Sequence, residues 1–237
     1  MYFLLVCLHT QFNIKKKHPM KYGILGTGMV GAAIATKLVQ VGHSVKMGSR
    51  SSTHEKGIAW AKVNGAHASF GTFEQAAEFG EIIFNCTKGE FSIDALKDAG
   101  EKNLAGKILV DISNPLDFSK GMPPTMLAGY VNTTSLGEEI QKAFPTTMVV
   151  KTLNTMNCNL MVDASLIKGE TDVFVCGNDA SAKSKVIGIL TNHFGWKSPI
   201  DLGDLSAARG TEMALILWVR LYGAFQSPMF NYKILKG

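Results

Sequence analysis

The run Gly26-Thr27-Gly28-Met29-Val30-Gly31 has the G-x-G-x-x-G spacing with which a backbone can wrap a diphosphate. Gly26 would permit a tight turn, and Gly28 would let the main chain approach a pyrophosphate. Gly31, with Ala32 and Ala33, would let the next helix lie close on a sheet. The free N–H groups of that helix start then face the phosphates. Such a spacing is weak evidence alone. Here the apolar run Tyr22–Leu25 precedes it and a helical pattern over Met29–Val41 follows, as a βαβ unit requires.

The choice between NAD and NADP lies about 20 residues further on, where an NAD site places an acid against the ribose 2′-hydroxyl. This chain reads Gly48-Ser49-Arg50-Ser51-Ser52 there, with no acid before Glu55. Arg50 can pair with a 2′-phosphate through its guanidinium fork, and Ser49 can donate a hydroxyl hydrogen bond. Thr27 can add another hydroxyl, and Lys56 or His54 further charge, although Lys56 reads equally well as a solvated helix residue. NADP(H) is therefore expected in preference to NAD(H).

Ligands of such sheets bind beyond the carboxyl ends of the strands. Those ends read Asn85-Cys86-Thr87-Lys88, then Ser113-Asn114-Pro115, then Asn154-Thr155-Met156. Cys86, Thr87, Lys88 and Asn114 are expected to border ribose and nicotinamide, and Asn154, Thr155 and Met156 a second ligand. Lys88 could equally be an exposed loop lysine. Cys86 reads as a wall residue, since no histidine is placed to activate it. Four cysteines and six histidines are scattered without metal-ligand spacing, so no metal site is expected. No Ser/His/Asp or Lys/Asn set stands out, and no catalytic side chain is assigned. Hydride transfer between stacked rings needs orientation more than an acid or base. Lys88 and Asn154 are the first candidates if one acts.

These residues need elements to hold them. Short apolar runs at Tyr22–Leu25, Val45–Gly48, Ala66–Ser69, Ile82–Cys86, Ile108–Ile112 and Met148–Leu153 read as strands. Helical patterns lie between them: Met29–Val41 with Gly42 as its stop, Thr72–Phe79, Ser92–Lys102 and Ser135–Ala143, the last three opened by a hydroxyl cap. Beyond them come a short helix near Met161–Ile167, a strand Val173–Cys176, a helix Ala180–Phe194, a strand near Pro199–Leu202 and a last helix Ser206–Tyr222. The expectation is an α/β fold of Rossmann type: a doubly wound, mainly parallel sheet with a small C-terminal α/β extension. Residues 20–237 would form one domain, nucleotide-binding over about 20–154 and acceptor-facing over about 155–237.

Hydrophobic residues make up 46% of the 237 and charged residues 18%, which excludes wholesale disorder. The net charge of +5 falls to +2 without residues 1–19, which carry three lysines and no acid, so no nucleic-acid partner is expected. Those residues are expected to be an extension outside the fold, disordered or owed to a misplaced start. Their apolar run, Tyr2 to Leu8, is too short to span a membrane, and its lysines follow it, the reverse of a signal peptide. The scattered cysteines suit a cytoplasmic protein. Met213 to Val219 in the last helix is apolar on every side, so that helix is expected to be deeply buried or to join two copies as a homodimer.

The run from Tyr22 to Gly31, together with Gly48-Ser49-Arg50, resembles NADP oxidoreductases dependent on coenzyme F420, an 8-hydroxy-5-deazaflavin. The likeness extends over nearly all of residues 20–237, including Val150-Lys151-Thr152-Leu153-Asn154-Thr155, Val175-Cys176-Gly177-Asn178-Asp179 and Asp201-Leu202-Gly203-Asp204-Leu205. It is similar also to the cytosolic reductase domain of six-transmembrane metalloreductases. The resemblance implies one Rossmann-like domain, 2′-phosphate contacts at Thr27, Ser49 and Arg50, and a small-molecule hydride acceptor. In the deazaflavin enzymes a histidine is expected where this chain has Asn154, whereas the metalloreductase-like branch carries Asn-Thr there. The acceptor is thus a flavin, coenzyme F420 or another small molecule. Pyrroline-5-carboxylate reductases and β-hydroxyacid dehydrogenases share the glycine-rich start but add a long helical domain. An imino-acid or hydroxy-acid reductase of that type is one alternative, and a non-enzymatic NADP-binding redox sensor is another.

Overall fold

The computed structural model describes residues 19–237. The expectation for residues 1–19 therefore lies, apart from Pro19, outside the described residues. The first half alternates strand and helix: β1 (Lys21–Leu25), α1 (Met29–Gln40), β2 (Ser44–Ser49), α2 (Glu55–Asn64), β3 (Ala68–Thr72), α3 (Phe73–Phe79) and β4 (Ile82–Asn85). Then follow α4 (Ser92–Ala99), α5 (Glu101–Leu104), β5 (Ile108–Asp111), a small hairpin of β6 (Leu116–Asp117) and β7 (Thr125–Met126), α6 (Leu136–Ala143) and β8 (Met148–Thr152). The chain closes with α7 (Cys158–Val162), β9 (Phe174–Gly177), α8 (Ala180–Phe194), β10 (Ile200–Asp201) and α9 (Ala208–Phe225).

Eight strands form one sheet in the order β10-β9-β8-β5-β4-β1-β2-β3. From β8 to β3 every neighbouring pair is parallel; β9 joins β8 antiparallel and carries β10 beside it. This is the α/β Rossmann-like arrangement expected from the alternation of apolar runs and helices. The order reverses direction between β1 and β4, where a crevice opens beyond the strand ends. Burial on both faces explains why strands such as Ile108–Asp111 carry a continuous apolar run, here Ile108 to Val110, instead of alternating. On one face Ile34, Leu38, Val186, Leu190 and Phe194 pack on Tyr22, Ile24, Phe84, Val110 and Val150. On the other, Ala76, Leu96, Leu104 and Ile140 pack on Leu25, Ile83, Leu109 and Val149.

Several local expectations hold, and several need correction. Thr72 closes a full capping box with Gln75, and Ser135 caps α6 through Glu138 N–H. Ser92 does not cap α4: it is fully buried as the first helical residue, and its hydroxyl turns inward to Asn85 and Thr87. The third strand begins two residues later than expected, because Gly65 turns at φ 78° and pairing with β2 runs on to Thr72. The expected helix Ser92–Lys102 is broken at Gly100, φ 86°, into α4 and α5. The short helix expected at Met161–Ile167 is α7 followed by a single 3₁₀ turn, Ala164–Leu166. Helix α2 escaped the pattern, since only Gly57 in it is buried and it has no apolar stripe to read.

The last helix is not deeply buried within the chain. Ala208, Thr211 and Glu212 in its first turns are buried, while Leu217, Tyr222 and Phe225 are exposed. The chain then folds back along it: Phe230 stacks on Trp218 with ring centroids 5.1 Å apart, and the Tyr232 hydroxyl donates to the Ala214 carbonyl at 2.8 Å. Asp172, ahead of β9, accepts from the backbone N–H of Ile234 in this returning segment.

Candidate functional site

The glycine loop has the geometry its spacing implies. Gly26 sits at φ 119°, a conformation that strongly favours glycine, and its N–H bonds the Gly48 carbonyl at 2.9 Å, tying the loop to β2. A Cβ at Gly31 would lie 2.2 Å from the Gly26 carbonyl oxygen, so only glycine lets α1 start this close to the strand end. Gly28 is different. A Cβ there would meet no protein atom within 4 Å, which leaves the approach to the backbone open. The first turn of α1 carries no acid and no side-chain cap, so its N–H groups are free for an anion. Thr27 and Val30 are half-buried around this opening, and Met29 is 81% exposed.

At the end of β2 the Ser49 hydroxyl donates to the Ser51 carbonyl at 2.7 Å and accepts the Ser51 N–H at 3.2 Å. Ser49 is thus a buried brace of the loop, and its proton must turn away from Ser51 before it can serve a ligand. Arg50 is exposed, as is Lys56 in the first turn of α2. Arg50 borders a cleft of about 280 Å³ with Phe73, Thr87, Lys88, Phe91 and Ala95, and Asp94 and Asp98 also line it. Lys88 is exposed but engaged: it pairs with Glu90, and its ammonium lies 5.7 Å from the Phe91 ring centre and 5.1 Å from that of Phe118. Cys86 stands on the wall behind Gly26. Burial, with Asp111 adding to it, pushes its thiol far above the usual range, so it is no nucleophile.

Beneath these strand ends lies a polar network at the heart of the apolar sheet. Lys151 in β8 is fully buried, and its ammonium donates to Asp111 Oδ2 at 2.8 Å and to the Ser113 carbonyl at 2.5 Å. Its third contact is Glu212 Oε1 of α9 at 2.7 Å. Burial alone would lower the pKa of this ammonium, but the two carboxylates outweigh it and hold the group above its ordinary value. Glu212 also accepts the N–H groups of Leu136 and Gly137 at the start of α6, at 2.9 and 3.1 Å. Asp111 Oδ1 accepts from Asn85 Nδ2 at 2.9 Å and from the Ser113 hydroxyl at 2.6 Å. Asn85 Oδ1 in turn accepts the Thr87 hydroxyl at 2.6 Å. An unbroken chain of hydrogen bonds therefore runs from α9 to the loop after β4.

The second expected ligand border is organised by a reciprocal amide pair. Asn114 Nδ2 donates to the Asn154 carbonyl at 2.9 Å, and Asn154 Nδ2 donates to Asn114 Oδ1 at 3.0 Å. Leu153, just before, stands at φ 62°, a left-handed conformation uncommon for a leucine, and ends β8 abruptly. Asn154, Thr155 and Met156 are buried, with Met156 in the core among Leu153 and Leu160.

Comparison with known proteins follows this geometry. Residues 21–115 match the model of the family described as NADP oxidoreductase, coenzyme F420-dependent. A solved structure from Arthrobacter sp. FB24, described as a candidate F420-dependent NADP reductase, is 48% identical. It superposes with a TM-score of 0.86 over 92% of this chain and 100% of that one. The chain belongs to this family of NADP oxidoreductases. The F420-dependent NADP reductase of Methanocaldococcus jannaschii is 29% identical over 91% of this chain and 98% of its own length. Metalloreductase STEAP3 of Rattus norvegicus is 33% identical over 84% of this chain, which spans only 37% of that relative. Among the described residues no helix is long and apolar enough to cross a membrane.

The structure sets Arg50, Thr87 and Lys88 on one cleft, places the Gly26 turn against the backbone of Cys86 and Thr87, and joins Asn114 to Asn154. Sequence reasoning placed Asn85 only as part of a strand end and gave no role to Asp111, Lys151 or Glu212. The available signal was a charged or amide residue at the end of an apolar strand, most plainly Lys151 in Met148-Val149-Val150-Lys151. Replacing Lys151 by Met would strand two buried carboxylates. Urea denaturation should show a loss of about 3–5 kcal/mol; a loss below about 1 kcal/mol would mean that the cluster does not hold the fold together.

Proposed function

We propose that the chain transfers hydride between NADP(H) and a flavin-type or deazaflavin acceptor. The diphosphate would lie on the N–H groups of Gly28 to Gly31, where the protein leaves space against Gly28. The cleft beside Arg50 has apolar walls in Phe73, Phe91 and Ala95, which suit a purine ring, while Asp94 and Asp98 disfavour an anion beside them. The 2′-phosphate is then best placed at the mouth, against the Arg50 guanidinium, with Ser49, Thr27 and Lys56 nearby in the chain. The observation that carries this reading is the combination of an open glycine loop tied to β2 with an exposed arginine, and no acid, at the end of that strand.

Cys86, Thr87, Lys88 and Asn114 would border the ribose and nicotinamide. The Asn114–Asn154 pair would set the edge between that ring and the acceptor, with Thr155 and Met156 completing the wall. Residues from about 155 onward form the acceptor side. The nicotinamide supplies the hydride chemistry; the protein orients two rings and keeps water out, and no side chain need move a proton. The exposed Leu217, Tyr222 and Phe225 on α9 support association into a homodimer.

Three outcomes test these statements. Titration should show NADPH bound more tightly than NADH, with Arg50→Ala weakening NADPH by about 1.5–3 kcal/mol and leaving NADH nearly unchanged; equal affinities in the unmodified protein would sink the NADP reading. NADPH oxidation should proceed with at least one of FMN, FAD or coenzyme F420, whereas binding without turnover on any of them would favour a redox sensor. Sedimentation velocity should give a dimer that Leu217→Glu dissociates, and a monomer before substitution would refute the proposed interface.

A further inference from the structure

The cluster beneath β5 and β8 contains one cation, Lys151, and two anions, Asp111 and Glu212, and all three side chains are fully buried. The carboxylates are surrounded by donors: Asp111 by Asn85, Ser113 and Lys151, and Glu212 by Lys151 and two backbone N–H groups of α6. Such donors favour the ionised form. The cluster therefore holds a net charge of minus one, softened on the Glu212 side by the positive end of α6. Asp111 lies three residues before Asn114 and Lys151 three before Asn154, the two residues whose amides interlock at the proposed nicotinamide edge.

We propose that this cluster is an electrostatic bias on the bound nicotinamide, favouring its oxidised, cationic ring over its reduced, neutral ring. The inference rests on the NADP reading above. Hydride loss breaks one C–H bond of the reduced ring and takes the ring from neutral to singly positive. The hydrogen and its bonding electron pair pass to the flavin-type acceptor. A fixed negative charge buried next to the Asn114–Asn154 edge would lower the free energy of that product and make NADPH the stronger donor. Glu212, on the last helix, is in this sense a tuning residue that need not touch either ligand.

The test compares dissociation constants for NADP⁺ and NADPH, by calorimetric titration, in the unmodified protein, in Glu212→Gln and in Asp111→Asn. Each variant removes one unit of buried negative charge. The ratio of the NADP⁺ constant to the NADPH constant should rise about threefold to tenfold in both. A merely structural role would weaken both nucleotides together and leave the ratio alone. An unchanged ratio in variants that fold and bind overturns the proposal. Failure of the unmodified protein to bind either nucleotide would instead overturn the NADP reading. Should neither variant fold, the unmodified protein decides: tighter binding of NADP⁺ than of NADPH supports the bias, and the reverse order overturns it.

Discussion

A charged ammonium can be withdrawn completely from water only where anions and carbonyl oxygens replace every hydration contact, and Lys151 meets that condition with three acceptors. Two of the acceptors, Asp111 and the Ser113 carbonyl, sit at the end of β5, and the third, Glu212, stands far along the chain on α9. The fold therefore has to bring the last helix back to the central sheet to complete the set. Glu212 spends its remaining lone pairs on the start of α6, so helices α6 and α9 are fixed to the sheet by the same carboxylate. An outer contact, the Arg209 guanidinium on Glu138 at 2.6 and 2.9 Å, reinforces that junction at the surface.

The consequences reach the crevice through short, directed bonds. Asp111 fixes the amide of Asn85, and Asn85 fixes the hydroxyl of Thr87, so the loop after β4 inherits its position from the buried charges. The loop after β5 inherits its own from Ser113 and passes it across the Asn114–Asn154 pair to the end of β8. On the other side of the sheet centre the constraint is steric. Gly26 and Gly31 bring α1 closely against the strand end. Polar satisfaction thus fixes the loops after β4 and β5, and atomic contact fixes the glycine loop.

Much of the fold was legible because its strands are buried on both faces and its helices on one. Continuous apolar runs named six strands of the parallel sheet to within a few residues, and Thr72 and Ser135 marked their helices through local hydrogen bonds that no distant contact alters. Helix α2 was missed for the complementary reason: almost wholly exposed, it carries no apolar stripe. Ser92 misled because the residue type suits a cap, while the polar network beneath β4 competes for the same hydroxyl. The stretch Met213 to Val219 is apolar on every side, yet this chain buries it only in part, covering Ala214 and Trp218 with its returning segment and leaving Leu217 exposed.

By itself the sequence determined the glycine loop, the missing acid at the end of β2 and the parallel doubly wound sheet, because each depends on residue type and spacing within a few turns of the chain. Only the tertiary structure decided that Ser49 is turned into its own loop, that Asn114 and Asn154 hold each other, and that Lys151, Asp111 and Glu212 form one buried cluster. Ser49 meets a residue only two positions on, but the other pairings join residues 40 to 61 positions apart. Which carboxylate meets a buried lysine is set by strand order and by the path of the last helix, and neither leaves a periodic trace in the sequence.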